Sequence, residues 1–189
     1  MESSRLEAFS DGVIAIIITI MVLEFDLPEE PTIAGLISIL PVILGYLVSF
    51  LYIGSYWNSH QHLFQGKKTI NGKILWANLN FLFWLSLLPF FTKWLEGGTE
   101  AVPLAAYGFI LLMCGVSSSF LRLCVMQANN SKRQVFKRIK AVLSVAAYLI
   151  GIICSFYVPY IAMLCFVLVP LMWFKLSDEI PLNNQVIVK

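Results

Sequence analysis

Long apolar runs recur along this chain about every thirty residues, and each is long enough to cross a lipid bilayer. A hydrocarbon core of about 30 Å requires about 20 mainly apolar residues at about 1.5 Å rise per residue. Of the 189 residues, 59% are hydrophobic and only 13% are charged, against about 25% charged residues in a soluble domain. The chain is therefore predicted to be an all-α integral membrane protein.

Six segments satisfy this length requirement. They cover residues 8–25, 32–59, 74–95, 102–126, 139–157 and 159–176. The last two share one apolar run that is divided at Val158-Pro159, because proline lacks a backbone N–H and disfavours helix in the residue before it. The sequence predicts one bundle of six transmembrane helices over residues 1–189, without an added soluble domain.

Basic residues predict the orientation of this bundle, because Lys and Arg are retained on the cytoplasmic side. In the six-span arrangement one side collects Arg5, Lys67, Lys68, Lys73, Arg122, Lys132, Arg133, Lys137, Arg138, Lys140, Lys175 and Lys189. The other side has Lys93 and an acidic rim formed by Glu24, Asp26, Glu29, Glu30, Glu96 and Glu100. Both termini are therefore predicted to be cytoplasmic. The acidic rim would either concentrate cations or only solubilise the outer face.

The first span carries the acidic residue Asp11 among apolar residues, whereas its other acidic residue, Glu24, lies at the outer end. An ionisable group at such a position is costly unless it has a partner. When successive helical residues are placed 100° apart, Ser10 and Asp11 point away from the main aliphatic face. We therefore interpret these two residues as internal fasteners of the helix.

The aliphatic face of the same span covers an arc of about 100°. It comprises Gly12, Ile16, Thr19, Ile20 and Leu23. Several copies of this face around one axis would form a hydrophobic constriction, which can gate a pore by dewetting, and a ring of hydroxyls could replace part of an ion's hydration shell. On periodicity alone, such a stripe is more typical of a helix that faces lipid or packs in a bundle.

Three motifs relate the chain to a known family. RxxxFSDG runs from Arg5 through Phe9, Ser10 and Asp11, and an aliphatic run containing Thr19 follows it. WNSHQHLF ends the second span, and Asn78 precedes LLPF in the third. Over essentially the whole chain this pattern resembles the transmembrane protein 175 family, which comprises the lysosomal potassium channel of animals and shorter bacterial and archaeal relatives.

The resemblance implies a cation channel that favours potassium over sodium without a TVGYG filter. It implies that the first helix lines the pore of a homotetramer, with K⁺ as the permeant ion, no cofactor, and a prokaryotic plasma membrane as its location. The constriction would be formed by Ile16, Ile20 and Leu23, and Thr19 is the candidate for selectivity.

The remaining motif residues would have structural roles: Arg5, Phe9, Ser10, Asp11, His60 and Asn78. We expect Asp11 and Ser10 to hydrogen-bond to His60 and Asn78 on neighbouring spans. The family commonly has adjacent histidines in its second span, whereas Gln61 separates His60 from His62 here, so which histidine contacts Asp11 stays open. We favour His60, and we interpret Arg5 as an anchor near the inner mouth.

Other classes of function fit the sequence less well. Two histidines and one aspartate are too few for a membrane di-iron centre, and neither a phosphate-binding glycine loop nor a GxSxG motif is present, so an enzyme is not expected. The net charge of +2 and the absence of a basic stripe exclude a nucleic-acid partner. A small secondary transporter of cations or protons is the main alternative, although the first span is aliphatic at its middle. A purely scaffolding protein is a further one.

Overall fold

A computed structural model describes residues 3–66, 70–95, 98–129 and 135–174. These residues form helices and their connections, and no strand occurs among them. The helices are α1 (Ser3–Leu23), α2 (Ile33–Ser38), α3 (Leu40–Phe64), α4 (Gly72–Ser86), α5 (Leu88–Leu95), α6 (Ala101–Ala128), α7 (Val135–Cys154) and α8 (Pro159–Phe174). The prediction of an all-α fold is confirmed.

Four helical stretches are long and apolar enough to cross a membrane. They are Ser3–Leu23, Leu40–Phe64, Gly72–Leu95 and Ala101–Ala128. Two shorter apolar helices follow, at Ile139–Cys154 and Pro159–Trp173. The chain turns between them at residues 155–158.

Two of the segments expected to be continuous are interrupted. The segment 32–59 contains a break at Ile39, and the helix beyond it extends to Phe64. The segment 74–95 is broken at Leu87. Pro41 and Pro89 each lie two residues after a break, where the missing N–H removes one hydrogen bond to the preceding turn.

A buried hydroxyl cluster joins three helices near the second break. Thr92 Oγ1 donates to the Leu88 carbonyl at 2.8 Å, so it accepts from Ser49 Oγ, also at 2.8 Å. Tyr107 Oη therefore donates to Ser49 Oγ at 2.9 Å. Because each of these three hydroxyl protons has an acceptor, the cluster holds α5 against α3 and α6 in one arrangement.

The packing of α6, α7 and α8 depends on close approach at two glycines. The Phe166 ring of α8 lies against Gly108 of α6 and Gly151 of α7, closer than a Cβ at either position would allow. Tyr52 of α3 donates its hydroxyl to the Phe166 carbonyl at 2.6 Å. These contacts bring the last two helices onto the rest of the bundle. On the opposite side, α1 packs against α3, α4 and α5.

Candidate functional site

The first helix has one face toward the interior of its own chain. The buried residues of this face are Leu6, Ser10, Ile14, Ile17 and Met21. They recur at helical spacing, so they form one stripe along the whole length of α1. Four of the five are apolar, and this stripe fixes the rotation of α1 about its own axis.

The opposite face of α1 is uncovered in the single chain. Ile16 is 58% exposed, Ile20 is 40% exposed and Leu23 is 81% exposed. Thr19 and Gly12 are exposed on the same side. All five residues of the aliphatic arc thus point away from the core of the subunit, toward whatever surrounds it.

The Thr19 hydroxyl is held by its own helix. Thr19 Oγ1 donates to the Ile16 carbonyl at 2.9 Å. This bond uses the hydroxyl proton and leaves the oxygen's acceptor capacity on the exposed side. Thr19 therefore presents a fixed oxygen ligand between aliphatic side chains.

Ser10 anchors the buried face through a directional hydrogen-bond chain. Its hydroxyl donates to the Leu6 carbonyl at 2.9 Å, so its oxygen is available to accept a hydrogen bond from Asn78 Nδ2, also at 2.9 Å. Asn78 Oδ1 lies 2.9 Å from His60 Nε2. The expected bond between Ser10 and Asn78 is thus present, whereas His60 bonds to Asn78 and not to Ser10 or Asp11. The two bonds join α1, α4 and α3 at one level.

The direction of this chain assigns the tautomer of His60. Because Asn78 turns its amide group toward Ser10, its carbonyl oxygen faces the histidine, and Nε2 must carry the proton. His60 Nδ1 is buried and has no partner among the described residues. Phe64 and Phe81 flank the ring, with centroid distances of 4.8 Å and 6.2 Å. The neutral form of His60 fits this apolar setting.

Asp11 does not join that chain, contrary to expectation. Its Oδ1 accepts hydrogen bonds from Trp57 Nε1 at 3.0 Å and from Gln61 Nε2 at 2.6 Å. The reason is geometric, because the side chains of Ser10 and Asp11 point about 100° apart around the axis of α1. Ser10 therefore faces α4, whereas Asp11 faces α3. Neither His60 nor His62 contacts the Asp11 carboxylate through a hydrogen bond.

Trp57 and Gln61 are partners of Asp11 that the sequence did not predict. Their spacing is the sequence feature that could have indicated this role. Residues four apart lie on one helix face, and Gln61 is a polar donor on that face. Both side chains donate, so together they satisfy the Asp11 carboxylate.

The other two motif residues lie on the uncovered side of α1. Arg5 is exposed, and Phe9 is 54% exposed. His62 of α3 is exposed as well. These side chains therefore do not contribute to the buried network. No group of three or more His, Cys, Asp or Glu suited to a metal ion occurs among the described residues.

Comparison with known proteins identifies the family. Residues 5–89 match the family model described as the endosomal/lysosomal potassium channel TMEM175. A protein named potassium channel from Chryseobacterium sp. (strain P1-3) is 48% identical over 178 residues, which are 92% of this chain and 93% of the relative. The chain belongs to the TMEM175 family. The predicted resemblance is confirmed, and so is the prediction of an ion-channel family rather than an enzyme.

Other similar proteins match over shorter stretches or at lower sequence identity. A potassium channel from Streptomyces collinus is 33% identical over 59% of this chain and 58% of its own length. The mouse endosomal/lysosomal proton channel TMEM175 is 28% identical over 61% of this chain and 24% of its own length. The crystal structure of a lysosomal potassium-selective channel TMEM175 homolog from Chamaesiphon minutus superposes with a TM-score of 0.77, covering 93% of this chain and 98% of that one at 23% identity. The fold is therefore the TMEM175 channel fold.

Proposed function

We propose that this protein is a potassium-selective cation channel in which α1 lines the pore. The observation that supports this proposal most directly is the uncovered face of α1. On this face Ile16, Thr19, Ile20 and Leu23 lie opposite the buried stripe of the same helix. A helix whose other side is fixed by a polar network can present that face at a constant angle. The potassium-channel names of two bacterial relatives support the same assignment.

The pore requires more than one copy of the chain. Four copies arranged around one axis would bring four Ile16, four Ile20 and four Leu23 side chains together as stacked aliphatic rings. Such rings form a hydrophobic gate, which blocks ions when it dewets. The homotetramer also covers the exposed face of α1, where a polar hydroxyl would otherwise meet lipid.

Each subunit would cross the plasma membrane six times, as one channel domain. The four long helices supply four crossings, and α7 and α8 supply two more. The 20 residues of α7 and the 16 residues of α8 extend about 30 Å and about 24 Å. The distribution of the basic residues supports a cytoplasmic location for both termini.

Selectivity would come from the Thr19 ring, because the chain has no TVGYG sequence. Its oxygen, held by the Ile16 carbonyl bond, can accept a partly dehydrated K⁺ between the aliphatic rings. K⁺ is then the permeant ion, and conduction requires no cofactor.

Reversal potential in planar bilayers, under opposed potassium and sodium gradients, tests this function. The current through wild-type protein should reverse near the equilibrium potential of potassium. Ile16→Asn should carry a larger current, because an amide wets the constriction. Ile150→Asn, a matched change at an exposed position of α7 (52% exposed), should leave the current unchanged. Silent bilayers from verified oligomer, or equal effects of both substitutions, would contradict the proposal.

A further inference from the structure

Arg5 lies on the face of α1 that is uncovered in the single chain. Leu23 comes 18 residues after Arg5, which is five full turns at about 3.6 residues each, so the two side chains point in the same direction. Arg5 is exposed, and so is Phe9, one turn further along this face. Arg5 therefore belongs to the same stripe as Ile16, Thr19 and Leu23.

The position of Arg5 along α1 places it at one end of that stripe. It is the third residue of α1, which contains 21 residues and extends about 32 Å, close to the thickness of a hydrocarbon core of about 30 Å. Leu23 lies about 27 Å away along the helix axis. With the N-terminus in the cytoplasm, the guanidinium of Arg5 lies at the inner mouth of a pore lined by α1.

The two acidic residues in the inner half of α1 face other directions. Glu7 and Asp11 point about 160° and about 120° away from Arg5 around the helix axis. Glu7 accepts a hydrogen bond from a serine hydroxyl of its own helix, and Asp11 accepts hydrogen bonds from Trp57 and Gln61. Neither carboxylate lies on the uncovered face, so the charge that α1 presents there at its inner end is positive.

We propose that Arg5 forms a ring of positive charge at the inner mouth, which makes the channel conduct inward potassium current better than outward current. Because the ring forms only if α1 lines the pore of an oligomer, this role rests on the proposed function. Guanidinium groups around one axis create a positive potential that lowers the local concentration of K⁺. Entry from the cytoplasm is slowed in proportion, whereas entry from the outer side is not. An arginine stays charged at any physiological pH, so the ring is permanent.

Single-channel recording from inside-out patches tests this role, with the same KCl concentration on both sides. In about 0.1 M KCl, where the Debye length is about 10 Å, wild type should conduct inward current better than outward current. In about 1 M KCl the Debye length is about 3 Å, so the relation between current and voltage should become nearly linear. Arg5→Gln should raise the outward conductance about threefold in the dilute solution and leave the inward conductance near that of wild type.

Two further variants separate the charge of Arg5 from its other possible roles. Arg5→Lys keeps the charge but not the planar fork, and it should rectify like wild type. Lys73→Gln removes a positive charge from an exposed residue at the start of another helix, α4, and it should also rectify like wild type. If Arg5 served only to anchor α1 at the membrane surface, Arg5→Gln would rectify as wild type does.

Three results would overturn the charged ring. They are a linear or outwardly rectifying wild-type current in the dilute solution, equal rectification in Arg5→Gln and wild type, and equal changes in Arg5→Gln and Lys73→Gln. The first requires no variant to fold, and in all three potassium current persists, so the proposed channel function stands. Silent wild-type patches with verified protein in the membrane would contradict the channel function itself, and the ring with it.

Discussion

At the scale of single residues, the fastening of α1 depends on two separate sets of hydrogen bonds. Ser10 binds Asn78, whereas Asp11 binds Trp57 and Gln61. The sequence predicts that both residues point away from the exposed face, because helical period fixes direction. It does not predict which neighbour each one meets, since that depends on the rotation of α3 and α4 about their own axes.

Removing the Asn78 amide should destabilise the fold. In Asn78→Ala the buried His60 Nε2–H loses its acceptor, and an unsatisfied buried donor costs about 1–3 kcal/mol. Asn80→Ala, at an exposed position of the same helix, is the matched control. The midpoint of thermal unfolding in detergent should fall for the first variant and stay near wild type for the second. Equal midpoints for the two variants would show that the Asn78 bonds contribute no stability.

At the scale of helices, proline marks some boundaries and not others. The turn before Pro159 was predicted from the sequence, whereas the breaks before Pro41 and Pro89 were not. Pro170 lies inside α8 without ending it. A proline removes one hydrogen bond wherever it occurs, and whether the helix then breaks depends on the packing around it. At the second break, the Ser49 and Thr92 hydroxyls stabilise the new direction, and that pairing across 43 residues is not visible in local sequence.

Adding a methyl group at Gly108 or Gly151 should disrupt the contact between α8 and its neighbours. The Phe166 ring occupies the space that either Cβ would need, and overpacking typically costs about 1–3 kcal/mol. Gly54→Ala is the control, because nothing lies within 4 Å of a Cβ at that helical position. Thermal unfolding should show a lower midpoint for Gly108→Ala and Gly151→Ala, and an unchanged or higher one for Gly54→Ala. Unchanged midpoints for the first two would mean that the ring moves aside freely.

At the scale of the whole molecule, bilayer thickness accounts for most of what the sequence could predict. Apolar runs of about 20 residues specify a helical membrane protein whatever their neighbours are. The exposed face of α1 was predictable for a similar reason: Ile16 and Ile20 share a stripe opposite Ser10, and a buried serine needs a partner inside the subunit. The partners Trp57 and Gln61, like Phe166 between two glycines, come from tertiary packing that periodicity does not describe.

The central claim is that ions pass along the exposed face of α1. Block of Thr19→Cys by Ag⁺ in planar bilayers tests it most directly, because Ag⁺ is a small monovalent cation that reacts with thiols wherever K⁺ can pass. Wild type, which retains Cys114, Cys124, Cys154 and Cys165, and Phe83→Cys, at an exposed position of α4 (55% exposed), are the controls. The account predicts rapid, irreversible loss of potassium current in Thr19→Cys alone. Persistent current in that variant, or equal block in Phe83→Cys, would contradict a pore lined by α1.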